Sequence, residues 1–336
     1  MGLYNNIANL AVVGLIGGAL AVFGAKYRGM QAEKTYPPIG SFVETSVGQV
    51  HYVQEGSGPH VILLHGAGGN LREFTFDLME RLRENYTVTA FDRPGLGYTD
   101  RIAGMADGLI GSAGESPQAQ AAMLREAAAT LEINDPIVVG HSYGGAVGYA
   151  WAVAGLDDAE NPVNAAGLVS LAGVTMPWPG DLGWYYRVNG HPIGGAVVIP
   201  LIGALVPNSK VQESITGTFA PDPVPTGYSD YIGGRLALRP VAMRANIRQV
   251  NTLRPHVVTM SARYPELTLP IEILHGTADM TVPIAVHAEE VIKIAPTAVL
   301  TPLEGVGHMP HHANPEATVA AIDRAAERAA AQPNDS

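Results

Sequence analysis

Apolar residues are grouped in two ways along this chain. Residues 7–25, IANLAVVGLIGGALAVFGA, are apolar almost throughout, with Asn9 the one strongly polar position. Beyond residue 40, short apolar runs instead alternate with polar, glycine-containing turns. As a helix, the first run would extend about 28 Å, close to the hydrocarbon thickness of a bilayer. Tyr4 and Tyr27 stand near its ends, where interfacial aromatics are favoured, and Lys26 and Arg28 follow it. A cleaved signal peptide carries its basic residues ahead of the apolar stretch, and residues 1–6 contain none. These features predict a single-pass membrane anchor over residues 1–29, with the remainder facing the cytoplasm by the positive-inside tendency. Gly14 and Gly18 form a GxxxG pair of the kind that lets two helices approach, although glycine is common in membrane helices generally.

The rest of the pattern predicts alternating strands and helices. Residues 30–40 form a polar connector, extended at Tyr36-Pro37-Pro38. Two short strands flanking Val47-Gly48 suggest a hairpin, and the continuous apolar run 61–64 suits a strand covered on both faces. Residues 71–85 then read as helix and 88–91 as strand. Ser116 with Pro117 is a helix start, the helix running to Leu131. Strands follow at 137–139, 168–171, 271–274 and 299–303, with helices at 146–154 and 315–330. This succession predicts an α/β fold, a mostly parallel central sheet flanked by helices, built from residues 41–172 and 267–332. Between residues 173 and 266 the alternation lapses, and a stretch of that length is too long for an ordinary connection. It is expected to form a cap over an active site.

Composition narrows the functional classes. The 336 residues are 47% hydrophobic and 15% charged, as in a packed globular protein, and the net charge of −11 argues against nucleic-acid binding. With no cysteine, disulfides, thiolate catalysis and sulfur-ligated metals are excluded. Residues 173–266 differ from the whole, with eight basic against five acidic residues, a balance of +3. Arg235 with Arg239 and Arg244 with Arg248 have the spacing of one helix face, suited to an anionic group or to ordinary salt bridges. Residues 194–207, GGAVVIPLIGALVP, preceded by Trp178, Trp184, Tyr185 and Tyr186, suit an apolar acyl pocket, a buried cap core or a bilayer contact.

Gly140-His141-Ser142-Tyr143-Gly144 is a G-x-S-x-G pentapeptide between a predicted strand and a predicted helix. A serine there sits on a tight turn, and glycines two positions to either side clear the space around it. A serine nucleophile needs a base, and the base needs orientation. Asp279 and His308 follow the strands at 271–274 and 299–303, in the order serine, acid, histidine, beyond strand ends where a parallel sheet gathers functional groups. An oxyanion formed during acyl transfer would be met by the backbone N–H groups of Tyr143 and of Ala67 in His65-Gly66-Ala67-Gly68-Gly69, with His65 bracing the loop. His308, His311 and His312 are close in sequence, but no HExxH helix or carboxylate partner accompanies them, so no metal site is expected and His311 and His312 are expected at the surface beside the triad.

In these motifs, together with Asp92-Arg93-Pro94-Gly95-Leu96-Gly97, the chain resembles the α/β-hydrolase superfamily, particularly its capped esterase, lipase-like and C–C-hydrolase-like members, over about residues 42–330. The resemblance implies the fold, the triad and the oxyanion hole, with no metal or organic cofactor. Haloalkane dehalogenases and epoxide hydrolases of the superfamily carry an aspartate where this chain has Ser142, which argues against those activities. The leading expectation is a membrane-anchored serine hydrolase acting on a small hydrophobic ester or lipid. C–C bond hydrolysis and cofactor-free perhydrolysis are alternatives with the same triad, and a binding protein on a retired scaffold is the non-enzymatic one.

Overall fold

The computed structural model describes residues 2–105 and 111–332, with side chains from Ile16 onward. Tyr4, Asn9 and Gly14 therefore fall outside the described side chains. Helix α1 (Gly2–Thr35) does not end with the apolar run; it continues through most of the expected connector, and only residues 36–40 lie outside regular structure. The first residue that refuses a helix is the one preceding the Pro37-Pro38 pair, where the proline ring crowds the helical conformation. No single helix among the described residues is long and apolar enough to cross a membrane.

Strands β1 (Ser41–Thr45), β2 (Gly48–Gly56) and β3 (His60–Leu64) come next. The expected helix over 71–85 is two short ones, α2 (Arg72–Thr75) and α3 (Leu78–Leu82), separated where Phe76 and Asp77 turn the chain. Strand β4 (Thr87–Phe91), α4 (Pro117–Thr130), β5 (Ile137–His141), α5 (Tyr143–Gly155) and β6 (Gly167–Leu171) complete the first part of the core. Ser116 caps α4, its hydroxyl accepting from the Ala119 N–H at 3.1 Å.

The stretch from Ala172 to β7 (Ile271–Gly276) is helical: α6 (Trp184–Gly190), α7 (Pro192–Leu205), α8 (Asn208–Phe219), α9 (Tyr228–Tyr231) and the long α10 (Pro240–Ser261). Arg235 and Arg239 do not share a helix face as the spacing suggested. Arg235 lies in a 3-10 turn (Gly234–Leu238) and bonds Asn208 and the Val206 carbonyl, whereas Arg239 precedes α10 and bonds Glu33 and the Gly97 carbonyl. Arg244 and Arg248 do lie on α10, the former half-buried and the latter buried. After β7 come α11 (Ala288–Ile294), β8 (Ala298–Leu303), α12 (Pro310–Ala313) and α13 (Pro315–Ala330).

The eight strands form one sheet in the order β1-β2-β4-β3-β5-β6-β7-β8, antiparallel at β1–β2 and β2–β4 and parallel elsewhere. Strands β5 and β6 are buried at every position, and a core lies on each face of the sheet: one includes Val138, Leu168 and Trp151, the other Val139, Val169 and Ile322. Burial on both faces is why these strands read as unbroken apolar runs.

Candidate active site

Ser142 stands between β5 and α5 with φ 53° and ψ −116°. A non-glycine residue in such a region costs on the order of 1–3 kcal/mol, so neighbouring packing must impose it. The flanking glycines explain how. A Cβ on Gly144 would overlap the Leu64 carbonyl and one on Gly140 would overlap the Gly144 carbonyl, so the turn closes only without side chains at those positions. The Ser142 N–H donates to the Leu171 carbonyl at 3.0 Å and its carbonyl accepts from the N–H groups of Gly145 and Val174, tying the turn to β6.

The three residues expected to form a triad are brought together. Nε2 of His308 lies 3.0 Å from Ser142 Oγ, and its Nδ1 lies 2.7 Å from Asp279 Oδ2. The other oxygen of Asp279 accepts from the Thr281 and Val282 N–H groups at 2.8 and 2.9 Å. Burial alone would raise the Asp279 carboxyl, but hydrogen bonds from His275 and His308, the positive charge His308 can carry and the Val282 N–H hold it well below the carboxylate range. Burial dominates at His308 and lowers it below an ordinary imidazole, against the raising effect of Asp279. The imidazole is thereby neutral, with the nitrogen facing Ser142 free to accept a proton.

Ala67 lies in the turn after β3. A Cβ on Gly66 would stand 3.2 Å from Ser142 Cβ, so this turn runs directly beside the serine, and Tyr143 opens α5 immediately after it. Arg93 holds the turn from beneath: its guanidinium donates to the carbonyls of His65 and Gly66 at 2.7 and 2.9 Å and lies over the Tyr143 ring, 4.4 Å from its centre. Burial lowers the guanidinium to about 10, which leaves it charged at neutral pH. His65 braces the loop, Nδ1 donating to the Gly66 carbonyl and Nε2 accepting from the Arg93 N–H, and burial pushes it down to about 4.

His311 does not lie at the surface beside the triad, and His312 is half-buried. His311 is fully buried, its Nε2 3.4 Å from Glu73, and His312 packs among Phe76, Phe219 and Tyr228. Desolvation pushes them down to about 4 and about 2. A carboxylate partner exists after all: Glu73 Oε1 is 2.7 Å from His141 Nδ1. Desolvation would neutralise both groups. Their mutual charge and contact prevail, holding Glu73 well below and His141 above their ordinary ranges. The remaining nitrogen of His141 faces the His308 carbonyl at 2.9 Å. Among the described residues, Glu73, His141 and His311 are the group whose ligand-type atoms lie within 4.8 Å of one another, but the Glu73–His141 separation is that of an ion pair. Sequence reasoning missed Glu73, and treated His141 as filler in the pentapeptide. It also missed Asp222, whose carboxylate accepts from the Gly307 N–H at 2.7 Å and so holds the residue before His308 from within the helical insert.

A cavity of about 520 Å³ opens above Ser142 and His308. Gly66–Asn70 and Ser142 form its floor, and the insert supplies much of its wall, including Tyr185, Tyr186, Val211, Ile215, Phe219 and Met243. Asn246 accepts from the Gly68 N–H at 2.7 Å and also faces the cavity.

Comparison with known proteins matches residues 61–321 to the model of the alpha/beta hydrolase family. An uncharacterized protein of Mycobacterium tuberculosis is 28% identical over 279 residues, spanning 80% of this chain and 75% of that protein. Among solved structures, an esterase of Thermogutta terrifontis is similar with a TM-score of 0.65 at 19% identity, over 86% of this chain and 99% of the other. A membrane phospholipase A described as a bacterial virulence factor gives a TM-score of 0.62 at 18% identity, over 99% and 100% of the two chains. At such identities the likeness speaks to the fold.

Proposed function

The chain belongs to the alpha/beta hydrolase family, and from that premise we propose that it is a serine hydrolase cleaving an ester with a hydrophobic acyl group, held at a membrane by residues 7–25. The observation that carries this reading is the unbroken relay from Asp279 through His308 to Ser142 Oγ at the floor of the cavity. Neutral His308 accepts the proton as Ser142 attacks the acyl carbonyl; Asp279 stays ionised and orients the imidazole. The N–H groups of Ala67 and Tyr143 receive the oxyanion, His308 protonates the leaving alcohol, and a water activated by the same histidine releases the acid. Residues 173–266 act as the cap, and their aliphatic and aromatic wall favours an apolar acyl chain. No metal or organic cofactor enters this chemistry.

The test is active-site labelling. The purified full chain is expected to react with a fluorophosphonate probe and to turn over p-nitrophenyl acyl esters, and Ser142→Ala is expected to abolish both. Undiminished turnover by folded Ser142→Ala would overturn the mechanism.

A further inference from the structure

We propose that α7 lies in lipid beside α1, so that α7 and the cavity-lining side chains packed on its inner side separate the bilayer from the cavity above Ser142, and the substrate is a bilayer-resident amphiphilic ester. This rests on the anchor and hydrolase readings above and adds a second membrane element within the cap.

The argument begins with what the two helices leave uncovered. On α1, Ile16, Leu20 and Phe23 are exposed, Leu20 by 66% and Phe23 by 70%. On α7, Ile193, Val197, Leu201 and Leu205 recur every fourth residue, and Ile193 and Leu205 are exposed by 68% and 71%. A four-residue repeat puts these side chains on one face. The helices join through small residues: a Cβ on Gly24 would stand 3.2 Å from Ala204 Cβ, and one on Gly203 would stand 3.0 Å from Ala25 Cβ. That close approach merges the two stripes into a single apolar surface.

The course of the chain shows which half of α1 this surface accompanies. After α7, Asn208, Val211 and Gln212 border the same recess as Arg28, Ala32 and Tyr36, so the chain moves toward the polar end of α1 as it leaves α7. The body of α7 thus runs beside the apolar half. It has no charged residue, and Arg187 and Lys210 are the nearest to either side. Its 14 residues extend about 21 Å, short of a bilayer core of about 30 Å. It meets α6 at a bend of 109°, with Trp184, a residue type favoured at the membrane boundary, exposed on α6. These features describe a helix inserted to partial depth. The α7 stripe is aliphatic, without the Tyr, Trp and Arg anchors typical of a protein interface, and it adjoins the apolar run of α1.

The inner side of α7 packs behind the wall of the site. Ile199 and Ile202 pack with Tyr185, Tyr186 and Met243, and the last three line the cavity.

The cysteine-free sequence allows a direct test. Single cysteines at Leu20, Phe23, Val197 and Leu201, and at the exposed core positions Ile292 and Val299, would be labelled with an environment-sensitive fluorophore. The full chain would then be reconstituted in phosphatidylcholine–phosphatidylglycerol vesicles carrying nitroxide lipids. The expected result is quenching at Val197 and Leu201 comparable to that at Leu20, and at least fivefold stronger than at Ile292. Quenching at Leu20 and Phe23 without quenching at Val197 and Leu201 would overturn the proposal. Absence of quenching at all four would overturn the anchor reading as well. Pyrene excimers between copies at Leu201, persisting on lipid dilution, would assign the face to a second copy and likewise overturn it. Fluorophosphonate labelling of the same samples reads the hydrolase assignment separately. With Val197→Ser/Leu201→Ser, KM for a vesicle-borne ester is expected to rise at least fivefold, with kcat/KM for a short soluble ester unchanged. Equal effects on both would overturn delivery from the bilayer.

Discussion

Asp279 and Glu73 each hold a histidine nitrogen at 2.7 Å, His308 in one case and His141 in the other, and both pairs are buried. The far nitrogens make the difference. That of His308 meets the Ser142 hydroxyl at the floor of a cavity, whereas that of His141 meets the His308 carbonyl. The protonation states diverge accordingly: burial lowers His308, while the charge of Glu73 keeps His141 above the ordinary range despite burial. An acid–histidine couple is therefore not catalytic by composition. Placed against a hydroxyl it can move a proton; placed against a carbonyl it fixes a loop, here the loop carrying His308, with the Glu73 charge favouring the protonated imidazole.

Substitution can break this comparison at either carboxylate. Asp279→Asn is expected to have the largest effect, lowering kcat by about 10⁴-fold because the histidine loses its tautomer and orientation. Stopped-flow hydrolysis of an activated ester would measure it, and a loss below tenfold would contradict the assignment. Glu73→Gln is expected to act mainly on stability, by about 2–3 kcal/mol, since it unpairs a buried charged contact. Its pH dependence follows from the two shifts. The Glu73 contribution is present above about pH 4.3 and fades as pH falls through the lowered value; the His141 contribution is present below about pH 6.5 and fades as pH rises through the raised one. The gap between native and variant proteins in urea melts should thus be widest between about pH 4.3 and 6.5. A subtler comparison comes from the rate profile. Activity requires neutral His308, so kcat/KM should fall on acidification with a midpoint below about pH 6.5. A midpoint above 7 would mean that the charge of Asp279 outweighs burial.

The two pairs differed equally in how far the sequence disclosed them. Ser142 was readable because its backbone conformation demands glycine at 140 and 144, a local requirement written in five consecutive residues. Asp279 and His308 were readable because each follows an apolar strand in an order the parallel sheet makes meaningful. Glu73 meets His141 across 68 positions, from a short helix with no distinguishing pattern, and Asp222 reaches Gly307 across 85. Such pairings follow from packing, and no periodicity announces them. The alternation of strands likewise gave the sheet, whereas the continuation of α1 to Thr35 was hidden by its loss of apolar residues after Ala25. There the helix is supported by docking: Arg28 donates to the Ala204 carbonyl at 2.6 Å and Glu33 pairs with Arg239 at 2.8 Å.

That continuation has a mechanical meaning. A loose tether would let the body it carries roll and bob, sampling every heading. A helix of 34 residues, about 51 Å of rod, clamped along its far third to the body it carries, permits no such freedom. Were residues 7–25 to lie in a bilayer, as proposed, the tilt of the rod would become the tilt of the body clamped to it, and the cavity above Ser142 would keep one height over the lipid.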